Sequence, residues 1–309
     1  MGPDEFHDGY PWRETPGVDD NAYTNVMTAW VLARANDLID LIYLHGRDDV
    51  LDRIGWSDDE RVQFAEVAQH LHVPFVGEVI AQFDGYERLE PIDLDAYRAR
   101  YGDISRLELI LDAEGDTVRR YQVGKQADAL MLFYLFSAEE LREVFESLGY
   151  DLTPSMIRKT VGYYASRVTH GSSLSRVVHA WVLARLDRAS SWQYFREALS
   201  ADVADTQSGT TREGIHLGAM AGTVDIAGRC YTGLEVRADA LWLNPELPEQ
   251  IRRLAFDLTY RDRALSIVVD EKDVRIRMAD GSPGPCNVVV AKRPYVLVPG
   301  EELVHPLGG

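Results

Sequence analysis

Basic residues are the scarcer charge in this sequence. Across 309 residues, 32 Lys and Arg stand against 50 Asp and Glu, a formal charge of −18 at pH 7. A nucleic-acid binder needs a basic face to displace counterions from phosphate, and a field of this sign repels polyanions and anionic lipid at long range. Nucleic acid is therefore not an expected partner, although a local cationic pocket for a small anion is compatible with the charge. Cysteine is nearly absent. Cys230 and Cys286 are far apart and lack zinc-ribbon or redox-motif spacing, so free thiols are expected and a structural disulfide or metal site is not. No window approaches the roughly 20 apolar residues of a membrane-spanning helix. Met1 to His7 shows neither the basic nor the apolar part of a secretory leader. These features predict a cytoplasmic protein without a membrane partner. No internal repeat of solenoid period is present either.

What remains is a chain of 46% hydrophobic and 27% charged residues with six Trp, the make-up of a folded protein of about two domains. Helical periodicity dominates as far as residue 228. Behind the capping cluster Asp19-Asp20-Asn21, the apolar positions Tyr23, Val26, Met27, Trp30, Val31, Ala33, Leu38 and Leu41 mostly follow a three-to-four spacing. Further helices are predicted over 58–70, 127–136, 138–148, 153–168, 175–186, 190–204 and 212–227. Residues 83–117, rich in Tyr and Asp, read mainly as a long loop, a kind of segment that is uncommon unless functional. After Gly228 the texture changes to short β-branched or alternating runs, predicted as strands at 241–243, 254–260, 264–269, 274–278 and 288–290. Phe256 to Tyr260 alternates as a sandwich strand with one wet face should. The expected fold class is mainly α with C-terminal β: part of an α/α toroid over residues 1–228, then a small β-sandwich over 229–309.

Four segments concentrate polar, Gly and His residues beyond what a structural helix bundle needs. Gly2-Pro3-Asp4-Glu5-Phe6-His7 is a turn with adjacent carboxylates, readable as solvated surface or as a site for acid chemistry. Lys125-Gln126-Ala127-Asp128 places a cation and an amide at a helix start, where they can cap the helix or hydrogen-bond sugar hydroxyls. Thr169-His170-Gly171-Ser172-Ser173-Leu174-Ser175 opens a helix with hydroxyls and amides, either a plain N-cap or an anion-binding nest. The loop from Ser208 to Thr223 carries Glu213 and His216, and its Gly214, Gly218 and Gly222 recur every four residues, a face open to close approach. His216 is either a core histidine or a ligand contact.

With Asp19-Asp20-Asn21-Ala22-Tyr23-Thr24-Asn25 added, these stretches resemble, in order and rough spacing, the glycoside hydrolase family 65 disaccharide phosphorylases, over residues 1 to about 270. The resemblance implies a partial (α/α)6 toroid of six-hairpin type followed by a small β-sandwich. It implies inverting phosphorolysis of an α-linked glucosyl disaccharide of trehalose, maltose or kojibiose type, giving glucose 1-phosphate. By carry-over Glu5 is the general acid, Lys125 and Gln126 bind sugar, and Ser172, Ser173 and His216 bind phosphate. The chemistry is coherent: one carboxylic acid protonates the leaving oxygen while phosphate, already an anion, attacks the opposite face without a base. No cofactor is expected, only inorganic phosphate as co-substrate. Two alternatives stay open, a hydrolase of the same fold with Glu213 as base, and a non-catalytic sugar-binding remnant. Where many members carry a Glu after a Tyr-Tyr pair, Tyr163-Tyr164 is followed by Ala165, and the link Gly9 to Gly17 is longer than usual, so acceptor specificity is open. Family members carry a β-sandwich and the first half of the toroid ahead of the acid. This chain is therefore expected to be the later part of such an enzyme, completed by a missing half or by oligomerisation, and inactive and self-associating when expressed alone.

Overall fold

The computed structural model describes residues 2–206, 209–237 and 239–308. They form two compact units, Met1–Val182 and Leu183–Gly309.

The first unit is helical: α1 (Ala22–Leu44), α2 (Asp48–Ile54), α3 (Asp58–His70), α4 (Leu94–Tyr101), α5 (Leu107–Ala113), α6 (Met131–Leu135), α7 (Ala138–Ser147), α8 (Pro154–Ala165) and α9 (Ser173–Leu183), with a two-residue hairpin of β1 (Phe75–Val76) and β2 (Val79–Ile80). Local chemistry sets the starts. Asn21 caps α1 by accepting from Thr24 N. Ser57 with Glu60, and Ser137 with Glu140, form reciprocal capping boxes on α3 and α7. Val26 and Ala29 of α1 pack with Val73, Ile80, Leu132, Leu141, Phe145 and Leu152 in the main core. A second cluster gathers Phe6 with Leu94, Ile104, Leu107, Leu111 and Val123. Burying Phe6 is worth about 1.5–3 kcal/mol and ties the segment carrying Glu5 to α4 and α5.

Two expectations are corrected here. Residues 83–117 are not mainly loop: they hold a 3-10 turn at Tyr86–Arg88 and the short helices α4 and α5. Each helix spans about two turns, too few for an apolar repeat to declare itself, although Asp93 caps α4 by accepting from Asp95 N and Ala96 N. The helix predicted from Ala127 starts only at Met131, because Asp128 is drawn into buried hydrogen bonds with groups far along the chain.

The second unit begins with α10 (Arg188–Ser200) and α11 (Leu217–Asp225), the latter extended by a π-turn at Ile226–Cys230. The helix predicted from residue 212 is shorter because Gly214, at φ +143°, interrupts it. Gly214 therefore does not share a helical face with Gly218 and Gly222. Two four-stranded sheets follow. One orders β3 (Glu235–Arg237), β4 (Ala240–Leu243), β8 (Cys286–Val290) and β9 (Arg293–Leu297), with β4 and β8 parallel. The other is antiparallel and orders β10 (Glu302–Pro306), β7 (Asp273–Met278), β6 (Arg263–Asp270) and β5 (Arg253–Tyr260). Leu241, Leu243, Val288 and Val290 of the first meet Leu265, Ile267, Val274 and Ile276 of the second in one sandwich core. The last helical turn ends at Cys230 and the first strand starts at Glu235, while α10 and α11 group compactly with the sandwich. Among the described residues neither cysteine enters a disulfide. Among the described residues no helix is long and apolar enough to cross a membrane.

Candidate active site

The first unit brings Glu5, Lys125, Gln126 and the Ser172-Ser173 turn into one neighbourhood. Asp4 organises it from below. Its carboxylate is buried, with Oδ1 accepting the backbone N–H of Lys125 at 2.8 Å and Oδ2 accepting Gln82 Nε2 at 3.1 Å. His7 Nδ1 lies 3.0 Å from the same Oδ2, and its Nε2 lies 3.0 Å from the Tyr121 carbonyl. Both ring nitrogens thus face oxygen atoms. Alternation about this buried anchor leaves Glu5 outward, its side chain 59% exposed, with Oε2 2.7 Å from Lys125 Nζ. Gln126 Nε2 donates to the Pro3 carbonyl.

A second buried carboxylate supports the first. Asp128 Oδ2 accepts the Asp4 backbone N–H and Oδ1 accepts Asn21 Nδ2, both at 3.1 Å. Burial pushes the Asp128 carboxyl up to about 7, and the Asp4 charge acts in the same direction against the hydrogen bonds it accepts. Space there is tight: a Cβ on Gly2 would fall on Asp128 Oδ2 and lie 2.6 Å from Asn21 Nδ2. The hydroxyl turn is tied in through the backbone, since Gly124 N donates to Arg167 O, Thr169 N to Gly124 O and Gly171 N to Lys125 O. Gly171 is required by close approach, because a Cβ would sit 2.9 Å from Lys125 Cγ and collide with the Ser105 carbonyl. Ser173 then starts α9 with Ser172 just ahead of it, so hydroxyls and first-turn amides stand beside the Lys125 segment.

The longer link Gly9 to Gly17 is a pinned flap. Tyr10 and Trp12 stack at 4.9 Å, Arg88 lies over Trp12 at 4.1 Å, and Arg13 lies over Tyr10 at 4.5 Å while pairing with Asp19. Tyr163 donates to Gln122 Oε1 and Tyr164 to the Ile80 carbonyl, so the Tyr-Tyr pair is spent on packing and Ala165 ends α8. An open cavity of about 480 Å³ lies against α4 and α5, lined by Arg100, Tyr101, Asp103, Ser105 and Glu114. Glu5 is not among the residues that line it.

His216 and Glu213 belong to the second unit. Asp202 holds His216 twice, accepting its backbone N–H at 2.9 Å and Nδ1 at 2.6 Å, and Nε2 faces the Thr210 hydroxyl at 3.2 Å. The hydrogen bond from His216 holds the Asp202 carboxyl below its ordinary value. Glu213 is exposed at the end of the 3-10 turn Thr210–Glu213, and Ser208 lies outside the described residues. Among the described residues no group of three or more His, Cys, Asp or Glu is placed to hold a metal ion. Asp4, His7, Asp128 and Asp202 escaped nomination from sequence. The first three stand inside or beside the nominated motifs, while nothing local marks Asp202, fourteen residues ahead of its partner.

Residues 1–225 match the glycosyl hydrolase family 65 central catalytic domain and residues 234–297 the family 65 C-terminal domain. An uncharacterized glycosyl hydrolase of Mycobacterium tuberculosis is 49% identical over 288 residues, which are 93% of this chain and 22% of that protein. Trehalose 6-phosphate phosphorylase of Lactococcus lactis is 34% identical over 271 residues, 87% of this chain and 34% of that one. The chain thus spans about a fifth to a third of the length of these curated relatives. A solved structure titled "Putative kojibiose phosphorylase from human microbiome" superposes with a TM-score of 0.74 at 21% identity, covering 99% of this chain and 37% of that one, so the mainly helical fold with C-terminal β structure is shared. Through both its helical part and its sandwich, the chain belongs to glycosyl hydrolase family 65.

Proposed function

We propose that this chain supplies the acid side of an inverting phosphorolysis of an α-linked glucosyl disaccharide, giving glucose 1-phosphate. The observation that carries the reading is an exposed carboxylate, Glu5, on a loop whose neighbours on both sides, Asp4 and Phe6, are buried, paired with Lys125 from a segment 120 residues away. Glu5 delivers a proton to the leaving glycosidic oxygen as phosphate attacks the opposite face of the anomeric carbon. Lys125 pairs with Glu5 in the free protein; the pair parts when a sugar hydroxyl takes the Lys125 ammonium, and Glu5 then carries a proton taken up from solvent. Gln126 Oε1 accepts from the sugar. Ser172 and Ser173 bind the phosphate, a role that the family resemblance also gives to His216, and no catalytic base is required. The phosphorylases among the relatives support this reaction class.

The match to a trehalose 6-phosphate phosphorylase, at 34% against 27–28% for kojibiose and trehalose phosphorylases such as those of Halothermothrix orenii and Geobacillus stearothermophilus, favours a second substrate reading, a disaccharide already carrying a phosphate. The test is phosphate-dependent release of glucose 1-phosphate from trehalose, maltose, kojibiose and trehalose 6-phosphate. It is run on the 309-residue chain and on a form completed with the preceding part of a family 65 catalytic domain. Turnover that requires phosphate is expected in the completed form. Sugar release at full rate without phosphate would favour the hydrolase reading with Glu213 as base, and binding without turnover the sugar-binding remnant.

A further inference from the structure

Glu5 and Lys125 meet at 2.7 Å, yet each rides on backbone that is fixed from beneath by the same residue. Asp4 precedes Glu5 directly and accepts the Lys125 backbone N–H, while its own N–H is held by Asp128. Asp4 and Asp128 are 1% and 4% exposed. Burying two carboxylates is costly, and a neutral side chain would suffice if the only need were to close a turn. At Asp128 the ionised form has a geometric use. Both of its oxygens face donors, the Asp4 N–H and Asn21 Nδ2, and only an ionised carboxylate accepts at both oxygens without presenting a hydrogen to either.

We propose that Asp4 and Asp128 are coupled positioning residues that set Glu5 against Lys125, and that proton uptake by Asp128 releases the setting. The proposal rests on the reading of Glu5 as the acid. A proton on Asp128 turns one oxygen into a hydroxyl, a weaker acceptor with one lone-pair direction fewer, so one of its two contacts is weakened, and the contact to Asp4 is the one that reaches the acid loop. The groups facing Asp128 are Asp4 and His7 of the acid loop, Tyr23 of α1, Tyr86 of the 3-10 turn and Tyr164 of α8. The tyrosines are all held above their ordinary range, chiefly by burial, and stay neutral between pH 5 and 8.

The experiment follows the backbone amides of Asp4 and Lys125 by NMR in the 309-residue chain labelled on Asp and Lys, from pH 5 to 8, in wild type and in Asp128→Asn. In wild type both amides are expected to titrate with one shared midpoint near 7, although they are 121 residues apart, and in D128N that midpoint is lost from both. Where a form that turns over sugar is in hand, D128N lowers kcat about tenfold and leaves KM for the sugar within twofold. A Lys125 amide that stays silent while the Asp4 amide titrates would overturn the proposal, as would an unchanged kcat in D128N. If no sugar is turned over by any form, the functional reading falls, and the amide comparison still decides the coupling on its own; the wild-type titration needs no variant to fold.

Discussion

The buried Asp128 carboxylate carries a measurable penalty in stability. Its proton affinity is raised by burial from 3.8 to about 7. A carboxyl whose folded pKa lies above its unfolded value favours folding when protonated, so this contribution is fully present below about pH 4 and is lost as pH rises through 7. At about 1.36 kcal/mol per pKa unit the whole window is worth about 4 kcal/mol, and the part between pH 5 and pH 8 about 2.7 kcal/mol. The perturbation that isolates it is Asp128→Asn, which keeps the shape and removes the titration. Thermal unfolding of wild type and D128N is compared at pH 5 and pH 8, because other groups cancel in the difference. For a unit of this size about 2.7 kcal/mol corresponds to roughly 5–10 °C in Tm, so the wild type is expected to lose that much relative to D128N between the two pH values. D128N itself forfeits one hydrogen bond, about 1–2 kcal/mol at all pH values, which offsets the curves without tilting them. Parallel curves across pH would refute the reasoning.

Three further outcomes are expected. Glu5→Gln in a completed form should lower the rate on a poor leaving group by roughly 10²–10⁴ and much less on an activated aryl glycoside; equal losses on both would remove Glu5 from the acid role. His216→Ala and Asp202→Ala should both raise the apparent KM for phosphate by roughly 10–100-fold, since a charge-assisted contact is worth about 1.5–3 kcal/mol, and steady-state kinetics with the sugar held saturating would show an unchanged KM for phosphate if neither touches the anion. His179 gives the opposite pH trend to Asp128: burial lowers it to about 4, so its contribution is present above pH 6.5 and about 3 kcal/mol is lost as pH falls toward 4. His179→Gln should flatten that acid limb in pH-dependent melts.

Periodicity located the long elements because they repeat their apolar spacing often enough: α3 begins and ends where its pattern does, and β5 to β7 follow their alternation to within a residue. The shorter α2, α4 and α5, and the strands β3, β9 and β10, escaped because two turns or a few edge residues carry too little pattern. The motifs pointed to Glu5 and Lys125 separately, as acid and as sugar-binding residue, and the fold sets them in contact. What could not be read was the support beneath them. Asp4, Gln82, Tyr121 and Asp128 meet only in three dimensions, and a buried carboxylate looks the same in a sequence as a solvated one. Nor did the sequence disclose that the Gln126 amide is occupied by Pro3, or that His216 has a carboxylate partner in Asp202.

The hydrogen bonds that hold the acid loop join residues 78, 107, 121 and 124 positions apart. Helices and capping boxes close over a few residues and form early, whereas contacts of this span form only after most of the intervening chain has been ordered. The arrangement of Glu5 against Lys125 is therefore a late event in folding, and by the same token an early casualty of partial opening. Partly folded chains carry the helices without the Glu5–Lys125 contact.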